Sequence, residues 1–423
     1  MSEWDTAQLG DLCDSARGIT YGIVKVGEYI PGGIPVIRGG DIRDNRIVFD
    51  DARRVSPEVS EQFRRTILQG GEIVLNLIAE PGHSAVVPST MAGFNVSRDV
   101  AVIPLSSKVN HIFVNCFLKS PAAISWLGSR LNGSVTQKIN LGVLREIPVP
   151  LPPRSQQDAI AGILGAINDK ITVSDGIAAT TEQLGRAIFN AYFADSSRFS
   201  TSDRELPTGW DCCTFGEVSS VLETGRRPKG GVAGYDNGVP SIGAESITRL
   251  AVFDFTKVKY VPEEYFFGMK QGIVEDYDIL LYKDGGRPGN FEPHVSMFGR
   301  GFPFNRMCIN EHVFRIRLAY PLSQAYGYFW LTSEPIMAEM RSRGTGVAIP
   351  GLNSRAVREL PMVIPPAEQL AQFDGAVVPL IDRALSAAAE ARSLARLRET
   401  LLPKLMSGEI RVRDAEQVVE EVT

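Results

Sequence analysis

The sequence predicts an α+β chain: a tandem repeat of two mixed α/β domains separated by two long helices that pair with each other. Three observations predict it. Matched stretches recur half a chain apart, a Pro-Pro join occurs twice, and a helix-like apolar pattern follows each join. "WDTAQLG" begins at Trp4 and "WDCCTFG" at Trp210, an offset of 206, while "GIPVIRGGDI" (33–42) matches "GVPSIGAESI" (238–247) at 205. "GEIVLN" (71–76) echoes "YDILLY" (277–282), and "LREIPVPLPP" matches "VRELPMVIPP" with Pro152 against Pro365, an offset of 213. Loop insertions produce so small a drift. The expected bounds are 1–152 for the first mixed domain, 153–195 for the first helix and 196–208 for a linker. The second mixed domain then spans 209–365, the second helix 366–412 and an acidic tail 413–423.

Each element has its own reason. At 423 residues the chain exceeds one ordinary core. The runs "EIVLNLI", "DVAVIPL", "DILLYK" and "HVFRIRL" read as strands, and heavy Gly and Pro punctuation makes those strands short. Pro152-Pro153 disfavours helix just before it, and Ser155 is placed to cap the helix that follows, with Asp158 in its first turn. Ile160, Ile163, Ile167, Ile177, Leu184 and Ile188 then form a seam, with Ile160, Ile167 and Ile188 spaced by multiples of seven. Ser174 and Thr181 fall on that line and weaken it. The second seam is Phe373, Val377, Leu380, Leu394 and Leu401, with Ala384, Ala387 and Ala391 small enough for close approach. Pro379 is expected to kink or restart this helix.

Composition excludes several classes. With 44% hydrophobic and 22% charged residues the chain reads as globular, and no apolar run approaches the ~18 residues of a membrane span. The start, "MSEWDTAQLG", reads as no secretion signal, and five cysteines without framework spacing suit a cytoplasmic protein. The net charge of −5 owes much to Asp414, Glu416, Glu420 and Glu421, so local basic clusters decide whether nucleic acid is a partner. The chain has no P-loop, no H-E-x-x-H and no amino-methyltransferase tetrapeptide, and its four histidines are scattered. Glu275, Asp276, Asp278 and Lys283 are a loose match to a nuclease metal site; a strand edge flanked by solvated acids explains them better. No catalytic and no metal-ligating set is expected.

Binding features are better represented. Arg38, Arg43, Arg53, Arg54, Arg64 and Arg65 lie near glycines or aromatics in the first repeat, and Arg226, Arg227 and Lys229 in the second. Lys283 and Arg287 border "KDGGRPG". Ahead of the joins come "GSVTQKIN" with Gln137, Lys138 and Asn140, and "GTGVAIPGLNSR" with Asn353 and Arg355. These residue types hold phosphates or read base edges. Singly, each is also an ordinary solvated side chain.

Two variable domains alternating with two helices, each entered through a "PLPP…Q" join, and the ending "LRETLLPKLMSGEIRV" (397–412), resemble the specificity subunits of type I restriction-modification systems. The resemblance implies that each mixed domain is a target-recognition domain reading one half of a split site in double-stranded DNA. It implies that the two helices form an antiparallel coiled coil that spaces the domains, and that the chain is non-catalytic and recruits two modification (methyltransferase) subunits and restriction (translocase/nuclease) subunits. S-adenosylmethionine, ATP and Mg would be bound by those partners, so no cofactor is expected here. Arg392, Arg396, Arg398 and the "LLPKLMSGEI" end are then available to docking partners. A coiled-coil protein scaffold that never touches DNA, or a metal-dependent nuclease, are the alternatives.

Overall fold

The computed structural model describes residues 4–43, 46–49, 51, 53–79, 81–130, 138–193, 206–285, 291–344 and 350–422. It divides into two compact units, Met1–Lys170 with Leu394–Thr423, and Ile171–Ser393.

In the first unit a four-stranded antiparallel sheet runs in the order Thr20–Tyr21, Val100–Ile103, Ile73–Asn76, Ser84–Val86. Its inner strands come from the two apolar runs expected to be strands, and Ile73, Val74, Val100 and Val102 are fully buried, as central strands of a covered sheet must be. A second, three-stranded sheet sets Ile34–Ile37 between Arg54–Val55, antiparallel, and Asn95–Val96, parallel. Helices His111–Leu118 and Pro121–Gly128 start at Asn110 and Ser120, whose side chains accept from Phe113 N and Ala123 N.

The second unit repeats this order. Ser219–Thr224, Val313–Leu318, Ile279–Tyr282 and Val295–Met297 make the four-stranded sheet. Val239–Ile242 lies between Lys259–Val261, antiparallel, and Cys308–Ile309, parallel. Helices Gln324–Leu331 and Glu334–Arg343 follow. The correspondence reaches single residues: a Cβ on Gly22 would sit 1.9 Å from Val96 O, and one on Gly225 1.6 Å from Ile309 O. Only glycine lets the chain pass there.

The first strand of each repeat pairs with the strand that ends at the join: Asp5–Gln8 with Pro148–Leu151, and Asp211–Thr214 with Pro361–Ile364. Prolines at 148, 150 and 152 keep their missing N–H groups on one side of the strand, and among the described residues this two-stranded sheet has no third strand to need them. Gln157, 4% exposed, fastens the join: its Nε2 donates to Pro152 O at 2.9 Å and its Oε1 accepts from Asn110 N at 3.0 Å.

The long helices are α1 (Arg154–Phe193) and α2 (Ala367–Ser407), followed by α3 (Val412–Val422). Ser155 lies inside the first turn of α1 rather than at its cap; Pro153 O accepts from Gln156 N. In the first unit Arg398 Nη1 donates to Asn168 Oδ1 at 2.8 Å. In the second, Ser174 Oγ meets Glu390 Oε2 at 3.2 Å and Gln369 Nε2 meets Tyr192 O at 3.3 Å, so the two segments there run antiparallel. Ser174 is 1% exposed and satisfied by that bond; Thr181 back-bonds to Ile177 O at 2.8 Å.

The seam residues divide. Ile160, Ile163, Ile167, Phe373, Val377, Leu394 and Leu401 are buried. Ile177 and Ile188 are half-buried against the core, and Leu380 is half-buried beside the buried Ile381. Leu184 is 48% exposed and does not belong to the seam. Gly185 takes the inward position, where a Cβ would lie 2.6 Å from the Phe329 ring. Eight turns of 3.6 residues carry a buried line about 29 residues, from Ile160 to Phe189, whereas counting in sevens ends at Ile188. Phe189 and Phe193 join Tyr326 and Phe373 in an aromatic cluster.

Helix α2 runs unbroken through Pro379, which lies on its exposed side with Gly375 four residues back. It ends in a Schellman turn: Gly408 has φ +71°, Glu409 N bonds Lys404 O at 2.9 Å and Gly408 N bonds Leu405 O at 3.3 Å. The expected acidic tail is helical from Val412 and buries Ala415. Most of the expected linker, 196–205, lies outside the described residues.

Candidate nucleic-acid interface

The expected DNA-contact residues fall into distinct groups. Arg53, Arg64, Arg226 and Lys229 are exposed, each on a loop or short turn. Arg43 is exposed with its Nε on Gly40 O at 2.6 Å. Gln137 and Arg287 lie outside the described residues.

Others are held by the fold. Arg54 donates to Asp51 Oδ1 at 2.6 Å and Gly33 O at 2.8 Å, which ties the outer strand of the small sheet to its neighbour's turn. Arg65 donates to Arg17 O, and Arg38 pairs with Asp41 at 3.4 Å. Asn140 and Asn353 are N-caps, accepting from Gly142 N at 2.9 Å and Ala356 N at 2.8 Å. Their side-chain oxygens are thereby occupied, and the amide donors remain. Arg355, 85% exposed, pairs with Glu359 along its own short helix at 2.6 Å.

Lys138 and Asn140 come together. With Tyr21, Leu77, Arg98 and Ile139 they line a cleft of about 310 Å³ in the first unit. Tyr21 is 46% exposed, and among the described residues neither Arg98 nor Lys138 has a side-chain hydrogen bond or ion pair. Sequence reasoning missed Tyr21 and Arg98, which stand far from Lys138 in the chain; strand pairing gathers them. At the matching place in the second unit Arg227 Nε lies 3.2 Å from Glu311 Oε1, and Lys283 Nζ bonds Glu311 O at 3.1 Å. Asp284 holds the His312 ring and approaches Lys283 Nζ at 3.5 Å.

The loose acidic set does not converge. Asp278 is fully buried, its carboxyl pushed up by burial while Arg315 and Arg317 oppose that rise. The Arg317 guanidinium holds Glu275 below the usual carboxylate range, and Lys283 points elsewhere, to Glu311 O. These acids neutralise arginines rather than frame a metal. Among the described residues no group of three or more His, Cys, Asp or Glu could hold one. Burial pushes the Cys13 thiol up to about 12 and those of Cys213 and Cys308 to about 11, which leaves them protonated and unreactive.

The arginines expected to face partners also divide. Arg392 lies over the Phe255 ring at 3.9 Å and Arg398 bonds Asn168, while Arg396 is exposed. Among the described residues no helix is long and apolar enough to cross a membrane.

Residues 1–183 match the model of the family described as type I restriction modification DNA specificity domain. Over 422 residues the chain is 22% identical to the type I restriction enzyme MjaIX specificity subunit of Methanocaldococcus jannaschii, covering 97% of this chain and 94% of that protein. It is 28% identical over 159 residues to the EcoBI specificity subunit of Escherichia coli, covering 37% of this chain and 33% of that one. In fold it resembles the crystal structure of a type I restriction-modification S subunit from M. genitalium, with a TM-score of 0.54 and 16% identity over 95% of this chain and 96% of that one. Residues 1–183 thus carry the type I restriction modification DNA specificity domain, and over nearly its whole length the chain is similar to specificity subunits of type I restriction-modification systems.

Proposed function

We propose that the chain reads a split, asymmetric DNA site, each repeat taking one half-site, and that the helices hold the repeats apart as one antiparallel coiled coil. The observation that carries this reading is a duplicated backbone bearing two different sets of surface side chains. A duplex offers half-sites about one turn, ~34 Å, apart. Helices of 40 and 41 residues are each about 60 Å long, enough to span that distance. Half-site identity then comes from the domains and spacer length from the rod. Two modification subunits and the restriction subunits dock on the chain and bring S-adenosylmethionine, ATP and Mg; this chain contributes recognition and no chemistry of its own.

Methylome sequencing of cells with and without this gene, beside its modification subunit, tests the reading. Loss of methyladenine at one split motif is the expected result. Deleting one heptad from both helices should shorten the spacer and leave both half-sites intact. An unchanged methylome with an active partner enzyme would leave the chain a protein scaffold.

A further inference from the structure

The cleft in the first unit and its counterpart in the second share one backbone frame. In the first, Leu77 N bonds Asp99 O at 2.7 Å, Ile139 N bonds Leu77 O at 2.9 Å, and Ile78 bridges to Lys138. In the second, Lys283 N bonds His312 O at 3.0 Å, Leu352 N bonds Lys283 O at 2.7 Å, and Asp284 bridges to Gly351. The bonds are the same and the side chains are not. Arg98 stands where the second repeat has Glu311, Ile78 where it has Asp284, and Lys138 where it has Gly351. A frame held by backbone bonds constrains none of these side chains, so the exchange of charge serves what the frame meets.

Each version is poised for a ligand. Arg98 and Lys138 have no side-chain partner among the described residues, and exposed Tyr21 shares their cleft. In the second frame the Glu311 side chain is 40% exposed; its Oε1 lies 3.2 Å from Arg227 Nε, while among the described residues its Oε2 accepts no hydrogen bond. A carboxylate oxygen without a hydrogen bond can take one from outside the chain. A bare carboxylate is repelled by DNA phosphates, but Arg227 pairs with this one, and Lys283 stands between the Glu311 backbone oxygen and the neighbouring acid Asp284.

Resting on the proposed reading of a split site, we propose that this frame is where each repeat reads bases, and that the two copies read opposite hydrogen-bonding edges. The first takes a guanine, whose O6 and N7 accept from Arg98 and Lys138. The second takes a cytosine, whose N4 amino group donates to Glu311. Arginine and lysine suit guanine's two acceptors, and a carboxylate suits cytosine's donor.

The test uses the full chain with its modification subunits. Methylomes are read for wild type, Arg98→Ala, Arg98→Gln, Glu311→Ala and Glu311→Gln, and each complex is assayed by competition between duplexes differing by one base of the wild-type motif. Arg98→Ala should admit other bases at one guanine of one half-site, about ten- to a hundredfold more readily than wild type. Glu311→Ala should do the same at one cytosine of the other half-site. The glutamine variants keep side-chain bulk and should turn preference toward adenine at those same positions; they decide the matter if an alanine variant melts early. Motifs identical to wild type in all four variants overturn the proposal. So does uniform weakening on every duplex with a shallower salt dependence, which marks phosphate contacts. A wild-type chain that adds no motif defeats the split-site reading itself, before any variant is compared.

Discussion

Each repeat buries one acid just ahead of its central strand, Glu72 in the first unit and Asp278 in the second, at 4% and 0% exposure. Both tie down the preceding turn in the same way. Glu72 Oε1 accepts from Gln69 N at 2.8 Å, and Asp278 Oδ2 accepts from Glu275 N at 2.8 Å. Their cations come from different places. Glu72 meets Arg17, from a loop, at 2.6 Å, whereas Asp278 meets Arg315 and Arg317, both on the adjacent strand. The turn fixes where the acid must be; any arginine that arrives can neutralise it. Duplicated folds therefore preserve the group that bonds the backbone and let its counter-ion wander.

This difference can be broken by mutation. Arg17→Met leaves Glu72 buried without its cation and should cost about 3–5 kcal/mol in urea denaturation of the full chain. Arg315→Met leaves Arg317 in place, so its cost should be that of a charged hydrogen bond, about 1.5–3 kcal/mol. Equal losses would mean that the second arginine contributes nothing. A smaller effect probes what the repeats share. Asn140→Ala and Asn353→Ala each remove a cap from equivalent short helices, and each should cost about 1 kcal/mol. A clear inequality between the two would show that one repeat leans on its cap more than the other.

The smallest effect is set by acid. The Arg317 guanidinium holds Glu275 below its usual value of 4.5. A carboxyl depressed by folding contributes stability that is complete above its unfolded value and fades as pH falls through the folded one. Wild type and Glu275→Gln should therefore differ in denaturation midpoint at pH 6 and converge as pH drops below about 4.5. A gap that persists at pH 3 would assign the difference to packing.

The repeat, its strands and its two helices were legible because apolar period and paired prolines are local signals. "DVAVIPL" and "HVFRIRL" became central strands as read. The seam was legible near Ile160 and failed by Leu184, because about six turns on from Ile163 the drift against a count in sevens moves the inward position from Leu184 to Gly185. Asn140 and Asn353 also cap short helices, a role the short apolar-periodic stretch after each could have shown. Arg98 and Tyr21 gave no signal at all. Nothing in the order of residues announces that strands far apart will bring them beside Lys138.

Asp5 pairs with Leu151, and Asp211 with Ile364. A ribosome must therefore finish a whole repeat before the strand it made first has anything to pair with. Closure of each body is a late, long-range event, slow by the measure of sequence separation. It is also self-contained, since the last strand to arrive is the one that hands the chain to its helix. A cassette cut at those two strands carries its own latch, and could be traded for another without disturbing the rod it is fastened to.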